Sequence, residues 1–395
     1  MELLYISMYQ FVHEDSGYFV IPSFGDQFWK KYLEVYEKIH IIGEPLKGYL
    51  DKSKLVKLDT SKIKIDLLPP NNSPIDWKND RLIAKELDGF VKNAESIIIK
   101  PASRKGVMAI RIAKKHKKPY MIEITGDLYT ALKHNTNPLK RLYAPIIYTQ
   151  IRRAIIDCKY GVYVTDHYLQ EKYPIKGKTC GSSDAVIKVI DNEVLKLRLE
   201  KIYAHNNSIN IGLVGFYHDN NKGIDTAIEA VAGVIRSGIN AVLQILGNGN
   251  EQDRKYWFSY AEKQNLPHEN LVFPEPIVGL NNMLKWYDSM DIIILPSRSE
   301  GLPRTIVEAI SRACPCITSN VCGLRELIEP QWVHEPGDSK QLFELLRKML
   351  MNQDEMITSA ESNFHKAKYY LESVQTGKRI AFMKEFKFFC ETQPE

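Results

Sequence analysis

The chain has 395 residues, too many for one ordinary core and enough for two domains of roughly 200 residues each. With 44% hydrophobic and 26% charged residues it reads as globular, and no apolar run approaches the roughly 20 residues that span a bilayer. A net charge of +5 and six cysteines without disulfide-framework or CxxC spacing exclude a disulfide scaffold and give no reason to expect nucleic acid or a structural metal as partners. The first residues lack the basic start and small-residue cleavage site of a signal peptide, so the expected compartment is the cytoplasm.

In chain order, short β-branched runs alternate with helical patterns. Strands are predicted at 3–7, 39–42, 63–68, 96–100, 120–124 and 161–164, and helices at 27–36, 80–93, 106–116 and 166–172. This alternation implies a parallel sheet covered on both faces. Two stretches in this half are basic. Residues 104–118 hold seven Lys or Arg and no acid, and residues 139–156 hold four, with aliphatics and two tyrosines between them. Such stretches attract phosphates or an anionic membrane surface. From 191 to 208 the sequence turns polar and loses its strand pattern, which reads as a domain junction.

After that stretch the alternation restarts. Strands are predicted at 210–214, 241–246, 271–273, 292–295 and 316–318, with helices at 223–237, 251–264, 283–289 and 305–312. The fold class is therefore α/β, two doubly wound domains at 1–205 and 206–376. A basic and aromatic helix at 377–389 lies beyond the last strand, a segment (377–395) that can pack back on the first domain.

In open α/β sheets ligands bind outside the carboxyl ends of the strands, where amides and helix N-termini face anions. Three loops of the second half stand there. The first runs from Gly215 to Lys222 and Gly223; glycine allows close backbone approach, and the lysine is a point charge for a phosphate. The second, Gly247-Asn248-Gly249, is a lone GxG that reads as a permissive turn bordering a ligand. The third leaves a buried strand at Pro296-Ser297, passes Glu300, Gly301 and Leu302, and enters a helix holding Arg304 and Glu308. Amides near Gly301 and Leu302 can hold a diphosphate. Glu308, about one turn inside the helix, can accept hydrogen bonds from a ribose diol.

The stretch LPSRSEGLP at 295–303, followed by Glu308-Ala309, resembles the E-x7-E signature of glycosyltransferase family 4, of the GT-B fold. The resemblance runs in order through most of residues 210–330. Lys222-Gly223-Ile224-Asp225, QILGNG at 244–249, WYDSMD at 286–291 and CGLRELI at 322–328 are each similar to family segments. Residues 116–127 and 163–174 look like the acceptor domain of members that assemble bacterial polysaccharides.

That resemblance implies two Rossmann-like domains facing a central cleft, the first for the acceptor and the second for a UDP- or GDP-linked sugar, a co-substrate rather than a bound cofactor. It implies that Lys222 binds the donor phosphates, alone or with Arg298 or Arg304. It places Glu300 by the transferred sugar, Gly301 and Leu302 at the diphosphate, and Glu308 on the ribose. Gly215, Gly247, Gly249 and Ser297 fall on the donor side, and Gly17 and Gly126 on the acceptor side. Where many members carry a His-Asp pair, this chain has Gly126-Asp127, and Asp127 becomes a candidate to orient the acceptor or a donor hydroxyl. The implied activity is metal-independent transfer with retention to a lipid-linked glycan of capsule, exopolysaccharide or O-antigen, on the inner face of the membrane. The competing readings are a GT-B epimerase or phosphorylase, and a nucleotide-sugar-binding subunit without catalysis.

Overall fold

A computed structural model describes residues 1–46, 54–135, 137–204 and 208–392. The chain divides into two compact units, Met1–Ser182 with Thr376–Glu395, and Ser183–Gln375.

The first unit holds β1 (Glu2–Glu14), β2 (Gly17–Val20), α1 (Asp26–Leu33), β3 (Lys38–Pro45), β4 (Val56–Lys57), β5 (Ile63–Leu67), α2 (Asp80–Asn93) and β6 (Ser96–Ile99). It continues with α3 (Arg104–Lys115), β7 (Tyr120–Ile124), α4 (Leu128–Lys133), α5 (Pro138–Ile155), β8 (Tyr160–Tyr163), α6 (Tyr168–Lys172) and β9 (Lys178–Gly181). The parallel strands lie in the order β5–β3–β1–β6–β7–β8–β9. β6 is buried at every residue, the pattern of a strand covered on both faces. β1 outruns its predicted span: after a register shift between Ile6 and Gln10 it forms an antiparallel hairpin with β2. Gly17 closes that hairpin at φ +123°, a conformation that favours glycine.

The second unit holds α7 (Glu193–Tyr203), β10 (Ile209–Val214), α8 (Ile224–Arg236), β11 (Ala241–Leu246), α9 (Glu251–Lys263), β12 (Leu271–Val272), α10 (Leu280–Ser289) and β13 (Ile292–Leu295). After these come α11 (Arg304–Ser311), β14 (Cys316–Ser319), α12 (Leu324–Leu327), β15 (Val333–His334), α13 (Ser339–Met351) and α14 (Gln353–Ala367). All its strand pairs are parallel, in the order β12–β11–β10–β13–β14–β15. In both units the first of the parallel strands in sequence sits beside the fourth, β1 beside β6 and β10 beside β13, so the order reverses there. Loops at that switch point diverge from the carboxyl ends and leave room for a ligand.

The polar stretch at 191–208 is not a bare junction. Val194, Arg198 and Ile202 recur every four residues on the buried face of α7. The Arg198 guanidinium donates to the carbonyls of Met290, Tyr287 (3.0 Å) and Arg312 (3.3 Å), which ties α7 to the ends of α10 and α11. The division therefore falls at Ser182 and Ser183, not near 205.

A last helix, α15 (Glu372–Glu391), contributes its residues from Thr376 onward to the first unit. Its Met383, Phe386 and Cys390 join a core with Tyr5, Trp29, Tyr32 and Ile39. Arg379, 1% exposed, donates to the Ser182 carbonyl (2.6 Å) and lies 3.6 Å from the buried Glu123.

Candidate functional site

The site is assembled by the loops after β10 and β13, the two strands flanking the switch point of the second unit. Beyond Gly215 the first loop closes in a one-turn helix, Asn220–Lys222, capped by the Asp219 side chain, which accepts from the Asn221 amide (3.0 Å). Gly223 then takes φ +69°. A Cβ there would lie 2.1 Å from the Pro296 carbonyl oxygen, so glycine is required both by conformation and by closeness to the second loop. The Arg298 amide donates to the Asn221 carbonyl (2.7 Å) and fastens the two loops together.

This stitching brings Lys222 against Glu300, 78 residues apart in sequence. The Lys222 ammonium donates to Glu300 Oε1 at 2.7 Å, and the Ser297 hydroxyl donates to the same oxygen at 2.7 Å. The lysine side chain is 22% exposed and the carboxylate 10%, so the pair lies at the surface of the loops with one side open. Gly215 makes room for the lysine stem: a Cβ there would sit 2.8 Å from Lys222 Cγ.

Gly301, Leu302 and Pro303 lead into α11, whose first amides have no partner inside the helix. Arg304 opens the helix and is exposed. Glu308, one turn further, accepts from the Tyr287 hydroxyl (3.2 Å). Burial pushes its carboxyl above the usual range, opposed by the positive charge of Arg304 and the Tyr287 hydrogen bond. A half-buried carboxylate at a helix start suits a diol, whose two hydroxyls would supply the donors it lacks.

Not every expected donor-side residue is free to touch a ligand. Arg298 is held in a two-pronged pair by Asp225 in the first turn of α8, at 3.0 and 2.6 Å, so of the two arginines only Arg304 is exposed. Gly247 and Gly249 are accounted for by packing. A Cβ at Gly247 would lie 1.9 Å from the Gly215 carbonyl oxygen, and one at Gly249 would lie 2.2 Å from the Tyr217 ring. That ring is buried, and the Tyr217 carbonyl accepts from Trp257 Nε1 (2.8 Å). Asp225 and Tyr287, which hold Arg298 and Glu308, stand inside the recognised motifs, yet only their partners' positions reveal their roles.

In the first unit Asp127 caps α4. Its carboxylate accepts from Lys172, the Thr130 hydroxyl, Tyr168 (3.0 Å) and Tyr173 (2.9 Å), and the side chain is 0% exposed. Burial pushes its pKa up, but the hydrogen bonds from Lys172 and Thr130 outweigh it, and the carboxyl sits below its ordinary value. With its lone pairs occupied, this carboxylate fastens α4 to α6 and is not free to orient an acceptor. Gly126 beside it has open space where a Cβ would stand. A groove of about 530 Å³ lined by Met1, His40, Lys64 and Phe90 opens at the amino ends of β1 and β3, away from the ligand-binding end of the sheet.

Residues 208–352 match the family model described as glycosyl transferases group 1. Over nearly its whole length the chain is similar to Protein CapJ of Staphylococcus aureus, 27% identical across 97% of this chain and 95% of CapJ. It is also similar to the capsular polysaccharide biosynthesis glycosyltransferase CapM of the same organism, 26% identical over 41% of each chain. Among solved structures, HepE of Anabaena in complex with UDP superposes with a TM-score of 0.65 at 14% identity, covering 98% of this chain and 100% of that one. The fold is GT-B, two Rossmann-like α/β domains, and the likenesses together support a GT-B glycosyltransferase.

Proposed function

We propose that the chain is a retaining glycosyltransferase that takes a sugar from a UDP- or GDP-linked donor held by its second unit and transfers it to a lipid-linked glycan of a cell-surface polysaccharide, at the cytoplasmic face of the membrane. The assignment rests on one observation: Lys222, Ser297 and Glu300 converge at the switch point, with Glu308 one helical turn into α11. Similarity to CapJ and to a capsular glycosyltransferase, and the fold shared with a UDP-bound structure, support it.

The chemistry asks for charge stabilisation at the leaving group. As the bond from the sugar C1 to the diphosphate oxygen breaks, negative charge grows on the β-phosphate. The Lys222 ammonium, exchanging part of its contact with Glu300 for phosphate, and the amides at Gly301 and Leu302 neutralise that charge. Glu300 then accepts hydrogen bonds from sugar hydroxyls and fixes the ring. The acceptor hydroxyl forms the new bond to C1 on the face the diphosphate leaves, and its proton passes to the departing phosphate. Glu308 holds the ribose. On the first unit, Gly17 and Gly126 stand on the acceptor side, and Asp127 fastens α4 to α6 beside Gly126.

A thermal-shift series with UDP, GDP and their sugars, on wild type and Glu308→Ala, tests the donor site. One nucleotide should raise the melting temperature by several degrees at a hundredfold excess over its Kd, and the substitution should remove most of the shift. No shift with any nucleoside diphosphate would overturn the assignment. A non-catalytic binding subunit, the reading favoured by the occupied Asp127 carboxylate, would show the shift but release no nucleotide when acceptor is added.

A further inference from the structure

The two basic stretches of the first unit differ in what the fold does with their charge. In α3 and just after it, four of the seven Lys and Arg are paired, Arg104 with Asp80, Lys105 with Glu44 (2.9 Å), Lys114 with Asp157 (3.9 Å) and Lys115 with Asp88 (2.8 Å), and His116 meets the same Asp88 (2.9 Å). Around α5 the opposite holds. From Leu128 to Ile156 there is no Asp or Glu, and Lys133, Lys140, Arg141, Arg152 and Arg153 are all exposed. Among the described residues none of these five has a carboxylate at ion-pair distance.

The same helix is apolar on both sides. Ala144, Ile147, Ile151, Ala154 and Ile155 are buried against the unit. On the other side Leu139, Leu142 and Ile146, one stripe at helical spacing, are 68%, 70% and 53% exposed. The apolar area continues past α5. The Trp77 ring lies 6.2 Å from that of Tyr143, Trp77 is 39% exposed, and nearby Ile75 is 77% exposed. A helix packed on one face ordinarily shows water a polar one. Three bare aliphatic side chains beside five uncompensated cations are the composition of a helix that lies in a bilayer interface.

We propose that the outer face of α5, extended by Ile75 and Trp77, docks the first unit on an anionic lipid surface. Leu139, Leu142 and Ile146 enter the boundary between headgroups and acyl chains. The basic side chains reach lipid phosphates along the rim. Eighteen helical residues, about 27 Å at 1.5 Å each, lie along the surface, and no helix among the described residues is long and apolar enough to cross it. Charge selects lipid over a protein partner: uncompensated cations around an apolar stripe fit a dense sheet of phosphates. The surface belongs to the first unit alone and stands independently of the donor site.

Co-sedimentation with vesicles of phosphatidylcholine and phosphatidylglycerol, against phosphatidylcholine alone, tests it. Wild type should sediment with the anionic vesicles at low salt and be released as salt rises through a few tenths molar. Leu139→Ser/Leu142→Ser/Ile146→Ser should weaken partitioning at least about tenfold, since each exposed aliphatic contributes transfer free energy on insertion. Arg152→Gln/Arg153→Gln should weaken it about tenfold through lost headgroup attraction, whereas Lys115→Gln, whose charge Asp88 already holds, should change it less than about twofold. Wild type staying in solution with anionic vesicles at low salt would overturn the proposal. So would a triple-serine variant that binds as well as wild type. A lipid-free dimer dissolved by the triple substitution would assign the face to a second copy of the chain instead. The nucleotide-induced thermal shift, read on the same variants, reports on the second unit separately, and a far-ultraviolet circular dichroism spectrum matching that of wild type shows that the substituted first unit is folded.

Discussion

Each unit places a lysine–glutamate pair at the carboxyl ends of its central strands. In the first, Lys105 at the start of α3 donates to Glu44 at the end of β3 at 2.9 Å, with side-chain exposures of 0% and 5%. In the second, Lys222 donates to Glu300 at 2.7 Å, with exposures of 22% and 10%. The chemistry is the same and the strand order is shared, yet the surroundings differ. Burial pulls the Lys105 ammonium below the ordinary lysine range, with the Glu44 charge opposing. A pair sealed from water cannot exchange its partner for an incoming phosphate, because no path lets the phosphate in before the charges separate. The half-open pair can. The switch-point geometry offers an anion site in both units, and the difference in accessibility assigns one pair to the scaffold and the other to a ligand.

That contrast can be broken most forcefully on the scaffold side. Glu44→Ala should cost about 3–5 kcal/mol, because it strands a buried ammonium. The urea midpoint should fall, while the nucleotide affinity of the remaining folded protein stays unchanged. Lys222→Ala should do the reverse, lowering turnover by about 10²–10³, or roughly 3–4 kcal/mol in the barrier, with little change in the urea midpoint. A Lys222 variant as unstable as the Glu44 variant would erase the distinction. Asp127→Asn comes next, at about 1–3 kcal/mol at neutral pH. The Asp127 carboxyl lies below its unfolded value, so its stabilisation is fully present above about pH 4, the ordinary aspartate range, and is lost as pH falls through the lower folded value. The asparagine variant should therefore show a flatter acid limb in a stability profile against pH.

Much of this was legible from residue types. β13 falls on its predicted residues because a fully buried strand reads as an unbroken apolar run, here Ile292–Leu295 ending at Pro296, and β11 falls on its own because an aliphatic run broken only by Gln244 stops at Gly247. The loop motif around Glu300 named its own neighbourhood. What the sequence could not carry is closeness at long range. Lys222 meets Glu300 only because β10 pairs with β13, and strand order is not written in either segment. Arg198 sits in a stretch that looks solvated, and its burial depends on carbonyls left open by helices some 90 residues away. The GxG loop reads as a permissive turn bordering a ligand, but the closeness of the Gly215 carbonyl and the Tyr217 ring, which requires glycine at both positions, is not written in that segment. The partial pairing of the charge on α3 is hidden for the same reason: Asp80, Asp88 and Glu44 are distant in sequence and close in space. Helices α13 and α14 went unpredicted although Leu342, Leu346 and Met349 mark a helical stripe, since no motif drew attention there.

The smallest effect discriminates most sharply. Glu308 is a carboxylate whose burial raises its pKa, so the fold disfavours its charge relative to the unfolded chain. Between the ordinary glutamate value and the raised one, the folded state binds more protons, and the ligand-free protein loses stability as pH rises through that window. Glu308→Gln removes the buried charge while keeping the shape and an acceptor for the Tyr287 hydroxyl. At pH 7 the ligand-free variant should melt slightly higher than wild type, by about a degree or two. Its nucleoside diphosphate affinity should fall about tenfold, because a neutral amide accepts weaker hydrogen bonds from a diol than a carboxylate does. Opposite signs from one substitution mark a residue held against the interest of stability, as a ligand contact would be. A variant that melts lower would place Glu308 with Glu44, among the groups that hold the fold.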